Sequence, residues 1–147
     1  MLISFLTFKR SRLSAVLNQY ETNARVLIEG EPVRRDLQWR SRALEIINFD
    51  LLAENKNNIV KLPTLYWENT YNYLVNLYQN NSVGYRFNCI LAPLGGKMQT
   101  VGAWYFAVKY PDVKVITSTP SRLFPEKYSI GFGHTHAIPV PRLNSDS

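Results

Sequence analysis

Cysteine occurs once in the 147 residues, at Cys89, and histidine twice, at His134 and His136. One thiol excludes an internal disulfide framework and a cysteine-rich zinc site. It fits a reducing, cytoplasmic compartment. No apolar run reaches the roughly eighteen residues of a membrane span, so no membrane contact is expected. The opening MLISFLTFKR has no basic segment ahead of its apolar stretch and no small-residue cleavage site after it, which makes it a poor signal peptide. A G-x-S-x-G elbow and an H-E-x-x-H helix are both missing, so no complete catalytic set can be named. There is no repeat, heptad or low-complexity tract, and no linker dividing the chain. Residues 1–142 therefore read as one domain and 143–147 as a frayed tail.

The composition, 46% hydrophobic and 19% charged, is that of a globular chain rather than a disordered one. Seventeen basic residues against eleven acidic give a net charge of +6, and residues 1–42 carry +4 of it. Such a surface tolerates phosphate-rich partners without specifying one.

Short apolar runs alternate with helical patterns. Leu2–Phe8, Arg25–Ile28, Ile59–Leu62, Phe87–Ala92 and Val113–Thr117 read as strands. Helices are expected from Ser11, a candidate cap, to Gln19 or Tyr20, from Asp36 to about Ala53, over Thr64–Gln79, and over Met98–Lys109. In the second of these, Trp39, Ala43 and Ile46 widen the packing face. The last three elements before the tail make a strand–helix–strand crossover around the loop Pro93–Lys97. Several such units predict an α/β fold: a Rossmann-like three-layer sandwich with a mostly parallel sheet. Tyr128–Phe132 and Ala137–Val140 are candidates for a C-terminal hairpin.

The glycine loop is the natural ligand site. In open α/β sheets ligands lie outside the carboxyl ends of the strands, and the free amides of a helix's first turn attract anions. Gly95 and Gly96 are able to take positive φ and to let a ligand near the backbone. Lys97 adds a charge, Thr100 a hydroxyl, and Gln99 an amide that reads a base or ribose edge. Gly102 is expected to pack closely against the sheet. The run G-G-K-M-Q-T-V-G matches neither a P-loop nor G-x-G-x-x-G, and a tight turn with no ligand remains the alternative.

A parallel sheet brings other loops alongside. Thr7 and Lys9 follow the first strand, and Thr117 with Ser118 and Thr119 the last; each set either meets a ligand or is an ordinary turn. Glu29 and Glu31 are available for a magnesium ion or ribose hydroxyls, or for salt bridges to nearby arginines. Arg34, Arg35, Arg40 and Arg42 cluster around Trp39, which either stacks on a base or packs into the core. His134 and His136 lack further ligands for a metal and read as a glycine-flanked turn, and Cys89 as a buried, inert thiol. No resident metal or cofactor is called for.

The stretch Asn88–Ala103, NCILAPLGGKMQTVGA, with the short apolar first strand, resembles the CARF family, the Rossmann-like sensor domains of CRISPR-associated defence proteins. Their turn reads glycine-glycine-threonine-lysine before a methionine-containing helix. This chain keeps Gly95, Gly96, Lys97 and Met98, lacks the threonine, and has Pro93 and Leu94 ahead of the turn. The resemblance implies that Gly95, Gly96 and Lys97 touch the phosphate-ribose ring of a cyclic oligoadenylate, with Thr7 and Lys9 facing it. It further implies a homodimer that controls an effector domain or protein. The expected function is nucleotide binding or sensing. The alternatives are an enzyme acting on a nucleotide or phosphorylated sugar, and a non-catalytic assembly subunit.

Overall fold

Five apolar segments, each too short to bury both its faces alone, pair into one sheet in the computed structural model, which describes residues 1–54, 58–82, 88–117 and 137–139. The strands are β1 (Leu2–Phe5), β2 (Arg25–Glu31), β3 (Ile59–Pro63), β4 (Ile90–Ala92) and β5 (Lys114–Val115). All pairings are parallel and the order is β3-β2-β1-β4-β5, a Rossmann-like arrangement. The helices are α1 (Arg10–Gln19), α2 (Trp39–Ile47), α3 (Phe49–Glu54), α4 (Trp67–Ser82) and α5 (Lys97–Lys109), with one 3-10 turn at Arg35–Leu37.

Alternation along the strands divides the core. Ile3, Phe5, Ile28 and Leu91 face α4 and α5 through Leu74, Ala103 and Phe106. Leu2, Leu27 and Ala92 face α1 and α2 through Leu13, Val16, Leu17 and Leu44. Helices therefore cover both faces, as the sandwich requires. The α4–α5 contact is close because Gly102 has no side chain. A Cβ there would collide with the Trp67 carbonyl and lie 2.9 Å from Thr70 Cβ. Gly102 thus packs on a helix rather than on the sheet.

Three expectations about local structure change. The helix over Asp36–Ala53 is broken at Asn48, which is wholly buried and donates from Nδ2 to the Leu44 carbonyl at 2.9 Å and the Thr7 carbonyl at 3.2 Å. Trp39 and Ile46 do not widen its buried face; both are exposed. Ser11 is not the cap of α1: Lys9 occupies that position, without a side-chain hydrogen bond. Tyr128–Phe132, His134, His136, Ser118 and Thr119 lie outside the described residues, as does Val140; Ala137–Pro139 carry no regular structure. No helix among the described residues is long and apolar enough to cross a membrane.

Candidate functional site: a cleft at the switch in strand order

Strand order reverses between β1 and β4. From β1 the chain moves outward to β2 and β3, then returns across the sheet to β4 and β5. The loops leaving β1 and β4 therefore diverge, and the gap between them is where doubly wound folds have room for a ligand. A cleft of about 270 Å³ lies there, lined by Thr7 and Phe8 after β1, Gly30 of β2 and Pro32 just after it, Thr64 after β3, and Leu94, Gly95 and Gly96 after β4. Gln99 of α5 and Leu37, Arg40 and Leu44 close the remaining walls.

The glycine loop is shaped from below by Gln99, which is buried. Its Oε1 accepts from the Gly96 N–H at 3.0 Å, and its Nε2 points to the Leu62 carbonyl at 3.5 Å. This is one half of a capping box, since glycine has no side chain to return the bond. Gly96 has φ −68° and ψ 162°, extended backbone open to any residue. Gly95 is required for space instead: a Cβ there would lie 2.7 Å from Gln99 Oε1 and 2.8 Å from Phe5 Cδ1. Neither glycine takes the positive φ expected of it. Gly30 has a related role, because a Cβ there would meet Thr64 Cγ2 at 2.7 Å and Gln99 Oε1 at 3.1 Å.

Four of the residues singled out in the sequence meet in this cleft: Gly95, Gly96, Gln99 and Thr7. Gln99 meets it as a support whose amide is already engaged. The Thr7 Oγ1 accepts from the Lys9 N–H at 3.3 Å. Lys97, Thr100, Lys9 and Thr117 are exposed and outside the lining; the Thr100 hydroxyl turns back to donate to the Gly96 carbonyl at 3.1 Å. The cation that does line the cleft is Arg40, its guanidinium carbon 5.6 Å from the centre of the Phe8 ring and 5.9 Å from that of Trp39. Sequence reasoning placed Arg40 in a basic cluster but not at a pocket. It missed Phe8, Gly30, Pro32 and Thr64, although a parallel sheet puts every such loop at one edge.

The Glu29 carboxylate lies elsewhere. Glu29 is 2% exposed and faces α2, in a second groove that shares no residue with the cleft. Its Oε1 is 3.3 Å from Lys61 Nζ, which also meets Glu45 Oε1 at 2.9 Å. Burial pushes the Glu29 carboxyl above the usual range, against the pull of Lys61. Of the two readings of Glu29, the salt bridge is observed, to a lysine rather than an arginine. Cys89 is buried, and burial pushes its thiol up to about 11, as an inert thiol requires.

No protein-family model, curated protein or solved structure matches the chain.

Proposed function

We propose that this chain is a nucleotide-binding domain whose cleft takes one mononucleotide-sized ligand. The observation that carries the reading is the cleft at the switch in strand order, with Arg40 as its cation and the Gly95–Gly96 backbone as one wall. About 270 Å³ falls just under the range of roughly 300–1,000 Å³ that takes drug-sized ligands, so one base and ribose suit it better than a dinucleotide. The amides of Lys97 and Met98 in the first turn of the 13-residue α5 face no helical partner and favour an anion. Among the described lining residues there is no carboxylate, imidazole or thiol, which favours binding or sensing over acid–base chemistry. The enzymatic alternative needs Glu29, Glu31 or His134 near Lys97, and Glu29 is engaged in the other groove.

The test is calorimetric titration with AMP, ATP, NAD, inorganic phosphate and a cyclic oligoadenylate, the last being the ligand that the CARF resemblance implies. Mononucleotide binding with one site per chain is expected. Arg40→Gln should weaken it about tenfold or more, the worth of a charged hydrogen bond. Lys97→Ala, outside the lining, should weaken it less. No binding across the panel, or binding indifferent to Arg40→Gln, would overturn the proposal.

A further inference from the structure

Among the described residues, five of the ten large apolar side chains that stand exposed belong to one edge, the loops at the carboxyl ends of the strands and the start of α2. Three are aromatic: Phe8 at 44%, Trp39 at 63% and Tyr66 at 48% exposure. Phe8 lines the cleft, Arg40 reaches both Phe8 and Trp39, and Tyr66 follows the cleft residue Thr64 by two positions. The same edge is basic. Arg10 and Arg34 are tied to Asp50 and Asp36, whereas Lys9, Arg35, Arg40 and Lys97 enter no ion pair among the described residues. Among the described residues, the acids of this edge outside those pairs are Glu31 and Glu68.

We infer that this edge is a track for single-stranded nucleic acid, with one nucleotide in the cleft and its neighbours stacked on Trp39 and Tyr66. The inference rests on the nucleotide reading of the cleft and extends it from a free nucleotide to a strand. Cations beside exposed rings serve the two needs of a single strand, phosphate neutralisation and a surface for each base. Lys9 and Lys97, which enter no ion pair among the described residues, fit an oligoanion better than a protein interface, whose core is depleted of lysine. A duplex keeps its bases stacked inside, beyond the reach of a recessed cleft, whereas a single strand splays them out.

The experiment is fluorescence anisotropy with labelled oligouridylate, oligothymidylate and a duplex of equal length, beside calorimetry with UMP. Both single strands should bind more tightly than UMP and more tightly than the duplex, and the RNA and DNA arms show which sugar is preferred. Four phosphate contacts would give a slope of log affinity against log salt of about −3. Trp39→Ala and Tyr66→Ala, substitutions of exposed side chains outside the cleft lining, should each weaken the single strand by about 5- to 100-fold. Both should leave UMP binding unchanged. UMP binding with no gain for the longer strand, or strand binding indifferent to both substitutions, would overturn the track and leave the cleft standing. Absence of UMP binding while a strand binds and responds to both substitutions would overturn the cleft as its anchor, and with it this inference as stated. A concentration-dependent dimer that Trp39→Ala disperses, without strand binding, would assign the edge to a second copy of the chain instead.

Discussion

Replacing Gln99 by Met tests whether a buried amide shapes the cleft from beneath. The two side chains are unbranched and of similar size, so packing against Gly30 and Gly95 is largely kept while both polar contacts go. The Gly96 N–H loses its acceptor at 3.0 Å and the Leu62 carbonyl its weaker donor at 3.5 Å. Gly96 is exposed enough for water to replace part of the first bond, which keeps the cost near about 1–2 kcal/mol. For a chain of this size that lowers Tm by about 3–8 °C, readable by circular dichroism. Mononucleotide affinity should fall with it, because Gly95 and Gly96 are no longer held. Gln99→Glu separates the two bonds. Its carboxylate still accepts from Gly96 but faces the Leu62 carbonyl without a proton, and burial raises its pKa. Such a group is best tolerated below its unfolded pKa, and its stability contribution is lost as pH rises through the folded value. The Glu variant should thus approach the parent at acid pH and fall away toward neutrality. A Met variant with unchanged Tm and unchanged ligand affinity would refute the reasoning.

Two further outcomes follow from the packing. Gly102→Ala sets a helix-propensity gain of about 1 kcal/mol against a clash with α4 backbone atoms, Tyr71 N at 3.0 Å among them, which cannot rotate away. Overpacking of about 1–3 kcal/mol should win, so thermal unfolding should come earlier; a higher Tm would contradict the close helix contact. Glu29, whose folded pKa is raised above its ordinary 4.5, favours the folded state below that value and loses the contribution as pH rises through the folded pKa. Urea titrations from pH 4 upward should therefore show a decline that Glu29→Gln flattens, and an identical decline in both proteins would show that another group is responsible.

The sheet was legible because each strand is a compact apolar run ended by proline, glycine or charge, and because the run into Pro93–Lys97 and onward spaces a crossover. Strand ends were not: the candidate strand ran to Phe8, but β1 ends at Phe5, and beyond it Thr7 and Phe8 turn to line the cleft. The break at Asn48 was invisible to periodicity, since a polar residue in a helical pattern ordinarily faces water, whereas this one bonds two carbonyls in the interior. Its position after two glycines makes Gln99 read as a ligand-facing amide. The competing signal was its spacing with Gly102, Ala103 and Phe106, the buried stripe of α5. Period alone puts Trp39 on the packing face, but α2 is nine residues long and buries only Leu44 fully.

Of the five strands, β1 comes first in this sequence and lies at the centre of the finished sheet, which sets an order of events during synthesis. One side of β1 waits only for Arg25–Ile28 to emerge from the ribosome, but the other side waits for Ile90–Ala92. The roughly sixty residues between the end of β2 and the end of β4 take about 3–12 s to synthesise. During that interval Leu2, Ile3 and Ser4 present an open, apolar strand edge to whatever is nearby. The cleft shares this delay, because the loop after β4 is one of its walls. The ligand proposed for the cleft would therefore bind only after the step that closes the sheet, and would not shield the open edge of β1 before it.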